Sequence, residues 1–86
     1  METEIEIPFE SLSLSIKQSI EQKLKQDFQT YKIKKTEEVR SQDLFLYELE
    51  VKGKQHDTEY YEYYFDQNGR FVRVELIQLK IISSFF

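Results

Sequence analysis

The chain of 86 residues is long enough for one domain with a single core. Sixteen acidic residues against twelve basic ones give a net charge of −4, which argues against a nucleic-acid-binding protein because such a protein presents a basic face. The absence of cysteine excludes disulfides, thiolate metal sites and cysteine nucleophiles.

Two features of the sequence concern targeting. Glu2, Glu4 and Glu6 follow Met1, so the start of this chain does not match the basic and then apolar pattern of a signal peptide. No apolar run approaches the ~18 residues that a membrane-spanning helix requires. We therefore expect no signal peptide within this chain and no membrane insertion.

The N-terminal part of the chain predicts a helix. Residues 2–7 alternate between charged and apolar types, and Pro8 ends any strand there. Residues 11–16 also alternate, whereas Ser15 and Gln18 form a capping-box pattern, so the start of the helix stays open. Beyond this point apolar side chains recur every four residues, which predicts an amphipathic helix over 16–28. These side chains are Leu12, Ile16, Ile20, Leu24 and Phe28.

The rest of the chain alternates with period two, which predicts four strands. Short polar segments separate them, so sequential strands should pair antiparallel. The strongest turn signal is Asn68-Gly69, because both residues tolerate positive φ in a two-residue hairpin turn. The predicted strands are 31–40, 44–52, 58–65 and 70–81.

The predicted fold class is α+β, with one N-terminal helix packed on a four-stranded antiparallel sheet in the order α-β-β-β-β. The two layers leave one face of the sheet open to solvent. The predicted core combines the helix stripe with the inward strand residues. It comprises Ile16, Ile20, Leu24, Phe28, Ile33, Tyr47, Leu49, Val51, Tyr61, Tyr63, Phe65, Val72, Val74 and Leu76.

Three segments of the sequence resemble PepSY-like domains. Pro8 with the amphipathic helix and residues 31–39 is similar to the start of that family. Residues 47–52 resemble its second strand, and residues 63–71 resemble its hairpin of tyrosine, Phe-Asp and Asn-Gly. The resemblance covers residues 8–76 of the single domain 1–86 and leaves 77–86 as a C-terminal extension.

The resemblance implies the fold of half of the beta-lactamase-inhibitor protein, and a periplasmic or secreted bacterial protein with an inhibitory or ligand-binding role. It supplies no catalytic residue. This chain departs from the family in holding one unit where two in tandem are frequent, and in having no Pro or Gly in the link 27–30. The same order of elements also suits a cystatin-like sheet, although the sequence shows no glycine pair or loop motif of that family.

The candidate catalytic and metal-binding residues lack the partners that such chemistry needs. His56 is the only histidine and lies in a polar loop. Residues 66–69 resemble part of a calcium loop without its distal glutamate, and the serines of 11–15 have no histidine partner. Four glutamates on strands could form an acid–base pair, but outward strand positions should leave them exposed and unperturbed. They are Glu48, Glu50, Glu59 and Glu62. The sequence thus predicts no enzyme, no metal site and no cofactor.

The aromatic run 60–65 provides the candidate binding site. Half of it faces the core by alternation, and the other half should lie on the open sheet face. Exposed tyrosine and arginine dominate binding hot spots, whereas tyrosine is also a good strand former. The candidate partner-binding residues are Leu46, Tyr60, Tyr64, Phe71 and Arg73. We expect a non-catalytic binding or inhibitor-like module with a protein or peptide partner. The alternative is a structural domain that self-associates through the open face and the C-terminal strand.

The alternation breaks in the C-terminal strand. The apolar residues at 72, 74 and 76 lie on one face of a regular strand, and those at 77, 79 and 81 lie on the other. Either a β-bulge near Leu76 and Ile77 restores the inward direction, or the second set covers a surface outside the monomer's own core. We expect residues 77–86 to pack against another copy or a missing neighbouring unit, as in a homodimer.

Overall fold

The computed structural model describes residues 1–53 and 59–77. Within these ranges one helix packs on one face of a five-stranded antiparallel sheet, which confirms the predicted α+β fold but not the strand count of four. The strands lie in the sheet in chain order. The elements are β1 (Thr3–Glu6), a 3-10 turn (Phe9–Ser11), α1 (Leu14–Asp27), β2 (Tyr31–Ser41), β3 (Leu44–Gly53), β4 (Tyr60–Phe65) and β5 (Phe71–Leu76).

The additional strand is β1, at one edge of the sheet. It pairs antiparallel with β2, and its last residue Glu6 lies opposite Glu37. Ile7 N–H then donates to the Thr36 carbonyl at 2.9 Å, which extends the pairing by one residue. The alternating segment near the N-terminus therefore forms a strand, and Pro8 follows the end of this strand.

The helix α1 begins earlier than the capping-box pattern predicts. Ser13 is its N-cap, because the Ser13 hydroxyl accepts from Ile16 N–H at 3.4 Å. The residues before it form the 3-10 turn, in which Leu12 N–H donates to the Phe9 carbonyl at 3.1 Å. Residues 11–16 therefore do not form a strand, although their apolar and polar side chains alternate.

The core lies between α1 and the central strands β3 and β4. Most of the predicted core is confirmed as buried, namely Ile20, Leu24, Phe28, Tyr47, Leu49, Val51, Tyr63 and Phe65. Ile16, Ile33 and Tyr61 pack against it half-buried. The prediction was wrong for Val72, Val74 and Leu76, which are 45, 41 and 49% exposed. These three lie on the outermost strand, whereas α1 covers the central ones.

The hairpin between β4 and β5 differs from the predicted Asn-Gly turn. Gly69 has a φ of 83°, but Asn68 does not have a positive φ. Gly69 N–H donates to the Asp66 carbonyl at 2.9 Å, and Asp66 N–H donates to the Arg70 carbonyl at 2.8 Å. The Asp66 carboxylate also accepts from the N–H groups of Asn68 and Arg70. This is a three-residue loop with a glycine bulge, in which Asp66 organises the turn.

A bulge in β5 lies beside this hairpin. Phe65 pairs with Phe71, whereas the preceding Tyr64 pairs with Arg73, so Val72 is an extra residue on β5. Because side chains alternate along a strand, this extra residue changes the face on which Phe71 lies.

The β-bulge near Leu76 and Ile77, one of the two alternatives for this strand, is not present between these residues. Leu76 pairs in register with Tyr61, and Ile77 N–H donates to the Tyr60 carbonyl at 2.8 Å. Residues 78–86, which the sequence analysis assigned to the end of the strand and to a dimer contact, lie outside the described residues.

Candidate functional site

The open face is the side of the sheet that faces away from α1. Residues directly opposite each other on adjacent strands point to the same side, so the register defines rows of side chains across this face. The central row is Glu6, Glu37, Glu48, Tyr64 and Arg73. The row on one side is Lys35, Glu50, Glu62 and Glu75. The row on the other side is Glu4, Val39 and Leu46.

A small apolar cluster is buried on the open face. Val39, Leu46 and Tyr64 are 7, 6 and 8% exposed. Arg73 covers Tyr64, with its guanidinium carbon 4.0 Å from the ring centroid, while Arg73 Nε lies 3.1 Å from Glu75 Oε2. The structure thus brings together three predicted site residues, Leu46, Tyr64 and Arg73. Tyr64 is nevertheless a packed side chain and not the exposed anchor that the sequence suggested.

Phe71 does not belong to the open face. Its ring lies on the helix side, 6.0 Å from Tyr63 and 6.1 Å from Phe65 between centroids, and Lys23 Nζ lies 4.3 Å from its centroid. The prediction was wrong because it assumed strict alternation along β5, and the extra residue Val72 breaks that alternation.

Tyr60 lies on the open face but apart from the Tyr64 cluster. It is opposite Lys52, which is opposite Lys32, so this end of the face carries two lysines. Lys52 Nζ lies 5.8 Å from the Tyr60 ring centroid. The open face is therefore acidic at its centre and basic at this one end.

Val39 is a member of the cluster that the sequence analysis missed. Ile33 and Val39 are six residues apart along β2, so both would lie on the same face of a regular strand. The register shifts between Ile33 and Lys35, so Ile33 faces α1 while Val39 pairs with Leu46 on the open face. A signal for this shift is not visible in the sequence, because Lys34 and Lys35 are equally polar.

Among the described carboxyl groups, Glu48 has the most strongly shifted pKa. Its pKa is raised from 4.5 to about 7, with burial as the largest cause and a hydrogen bond with Glu62 as the next. The negative charges of Glu62, Glu37 and Glu4 contribute the rest of this rise. The prediction that the strand glutamates are exposed was thus wrong, because Glu48, Glu50, Glu59 and Glu62 are all half-buried. The prediction that they are unperturbed was wrong for Glu48, because neighbouring strands crowd an outward position in the middle of a sheet.

The same crowding of carboxylates acts on Tyr64. The Tyr64 pKa is raised to about 12, mainly by burial and then by the charges of Glu48, Glu62 and Glu75. The Tyr64 hydroxyl lies 3.5 Å from Glu62 Oε1. At neutral pH the phenol is protonated, so it is a neutral hydrogen-bond donor in an acidic surrounding.

The other sequence candidates have structural roles or lie outside the description. Ser13 caps α1, and the Ser11 hydroxyl donates to the Pro8 carbonyl at 2.6 Å. The Asp66 carboxylate is engaged by backbone N–H groups of its own turn. Among the described residues no group of histidine and carboxylate side chains could hold a metal ion. His56 lies outside those residues.

The chain matches no family model, no curated protein and no solved structure. In the part of the chain that the structure describes, no helix is long and apolar enough to cross a membrane.

Proposed function

We propose that this domain is a non-catalytic binding module whose open face takes a basic segment of a protein partner. The observation that carries the proposal is the crowding of glutamates around the Val39–Leu46–Tyr64 cluster on a face that no helix or strand of residues 1–53 and 59–77 covers. These glutamates are Glu4, Glu6, Glu37, Glu48, Glu50, Glu62 and Glu75.

Charge complementarity determines the class of partner. The bases among these rows already pair within the face, since Lys35 Nζ lies 3.4 Å from Glu37 Oε2 and Arg73 bonds to Glu75. The remaining carboxylates repel one another, which is part of the reason why the Glu48 pKa rises. Lysine and arginine side chains of a partner would relieve this repulsion.

The burial of the apolar cluster determines which interactions can contribute to binding. Leu46 and Tyr64 already pack within the domain, so they expose little apolar surface for a partner to bury. Binding should therefore depend on ion pairs with half-buried glutamates such as Glu37, whose side chain is 13% exposed, and it should weaken as the salt concentration rises. From the resemblance of residues 8–76 to PepSY-like domains we further propose that the module is inhibitor-like or ligand-binding and belongs to an exported bacterial protein.

The competing hypothesis of self-association through the open face is disfavoured by charge. In a two-fold symmetric dimer the same patch of both copies is in contact. The central glutamates of one copy would then lie near the glutamates of the other, and like charges across an interface are unfavourable.

Amide chemical-shift mapping of the full-length protein with an oligolysine peptide tests this proposal. We expect shifts that centre on Glu37, Glu48 and Glu62, that saturate with peptide and that decrease with added salt. An oligoglutamate peptide of equal length should cause no shifts at these positions. Shifts confined to α1, or none at low salt, would contradict the proposal.

A further inference from the structure

The strand β5 is an outer edge of the described sheet. Within residues 1–53 and 59–77 it pairs with β4 on one side and with no strand on the other. All of its residues are exposed, and Val74 and Leu76 lie on the helix side of the sheet opposite Tyr63 and Tyr61. An exposed edge of this kind offers its backbone groups to another strand.

The backbone groups of Val74 point toward this free edge. Ile77 N–H donates to the Tyr60 carbonyl, which directs the backbone groups of Ile77 toward β4. Hydrogen-bonding direction alternates along an antiparallel strand, so Glu75 also faces β4 while Val74 and Leu76 face outward. A second strand could therefore form a hydrogen-bonded pair at Val74.

We propose that β5 pairs antiparallel with β5 of a second copy of this chain, about a two-fold axis at Val74. In this register Arg73 of one copy lies opposite Glu75 of the other, and the two-fold symmetry gives a second, equivalent pair. The two Val74 side chains face each other, and Leu76 faces Val72 of the other copy at the end of the strand. The pairing goes beyond the binding proposed above, because it uses the edge of the sheet and not its face.

The strand β5 is self-complementary, which favours a second copy of this chain as its partner. Arg73 and Glu75 share the open face and pair within one chain at 3.1 Å, so each can exchange its partner for the equivalent group of the other copy. Directly opposed unlike charges and paired aliphatic side chains are the cross-strand pairs that stabilise a sheet. The sequence of β5 provides both kinds of pair, the charged and the aliphatic, in the same register.

The dimer would form one continuous sheet with both open faces on the same side. Antiparallel strands related by a two-fold axis perpendicular to the sheet keep their faces aligned. The acidic surface would then double in extent.

Sedimentation velocity of the full-length protein tests the proposal with charge reversals. We expect the wild type to be a dimer at high micromolar concentration. Arg73→Glu and Glu75→Arg should each give a monomer, because each places like charges opposite each other across the two-fold axis. The double variant Arg73→Glu/Glu75→Arg restores unlike pairs in the same register and should recover the dimer.

Control variants keep the result specific to β5. Glu10→Lys/Lys17→Glu exchanges the charges of an ion pair on the helix side, 3.2 Å in the native protein, and should leave the dimer intact. Thermal melts should show that each variant is folded. A monomeric wild type would overturn the proposal, and so would a folded double reversal that stays monomeric or a helix-side exchange that abolishes the dimer.

Discussion

Arg73 lies over the ring of Tyr64, with its guanidinium carbon 4.0 Å from the ring centroid, on the face of the sheet that α1 does not cover. Together with Leu46 and Val39, this contact leaves Tyr64 only 8% exposed. A two-layer domain thus has a second, smaller packed cluster on its solvent side.

The packing of Tyr64 leads to the first prediction. Tyr63→Ala should lower the free energy of unfolding by about 3–5 kcal/mol, because it removes a core aromatic side chain and its hydroxyl bond to Asp27 at 2.7 Å. Tyr64→Ala should also destabilise, by about 2 kcal/mol, because its cluster is smaller. Chemical denaturation measures both values. An unchanged stability for Tyr64→Ala would show that the ring is free on the surface.

The second prediction concerns the pH dependence that Glu48 imposes. Its folded-state pKa is about 7 against an ordinary value of 4.5, so the folded protein retains a proton that the unfolded chain has lost. This group therefore lowers stability as the pH rises from about 4.5 to about 7, and the loss is complete above that range. The charges around it come from Glu4 on β1, Glu37 on β2 and Glu62 on β4.

Glu48→Gln should remove this contribution. The difference in unfolding free energy between Glu48→Gln and the wild type should increase in favour of the variant between pH 4.5 and pH 7 and then stay constant. Urea denaturation at a series of pH values gives this difference. A difference that does not vary with pH would show that the Glu48 carboxyl ionises normally.

The third prediction uses a buried hydroxyl. Thr36 is 2% exposed, and its Oγ1 finds no hydrogen-bond partner among the described residues. Thr36→Val replaces the hydroxyl with a methyl group of similar size, so it should stabilise the domain by about 1 kcal/mol. Thermal unfolding measures the effect. A loss of stability would indicate that the hydroxyl has a partner that valine cannot replace.

The fourth prediction distinguishes the observed hairpin from an Asn-Gly turn with positive φ at both residues. Gly69 has a φ of 83°, and a Cβ atom there would lie 3.2 Å from the Ile16 carbonyl oxygen, so Gly69→Val should be strongly destabilising. Asn68 has no positive φ, so Asn68→Ala should cost about 0.5 kcal/mol or less. Thermal melts of both variants suffice. A cost at Asn68 equal to that at Gly69 would favour the Asn-Gly turn.

The parts of the fold that could be predicted from the sequence are those with uninterrupted periodicity. The four-residue spacing of Ile20 and Leu24 identified α1, and the alternation of β3 and β4 identified Leu49 and Phe65 as core. Residues were assigned to the wrong face where one extra residue shifts the phase of a strand, between Ile33 and Lys35 and at Val72. Val74 and Leu76 were assigned to the correct face but are exposed because β5 lies at an edge of the described sheet. A bulge reverses the face of the residues on one side of it relative to a regular strand. The composition of these segments does not reveal the bulges, so the sequence assigns residues on one side of each bulge to the wrong face.

The candidate site was predicted only in part for the same reason. Leu46 and Arg73 were assigned to the correct face, whereas Phe71 was not, since the bulge lies directly beside it. The raised Glu48 pKa depends on side chains from three other strands. Their proximity follows from the register between strands, which the alternation within one strand does not contain.

The affinity of a fluorescent oligolysine peptide for two charge-matched variants tests the binding proposal most directly. Glu50→Gln/Glu62→Gln removes two carboxylates of the open face, and Glu10→Gln/Glu21→Gln removes two from the helix side, so both variants have the same net charge. Fluorescence anisotropy at low salt should show a dissociation constant raised about fivefold or more for the open-face variant. It should show a change of less than about twofold for the helix-side variant. Equal weakening by both variants would mean that the peptide responds only to net charge, and it would contradict a binding site on the open face.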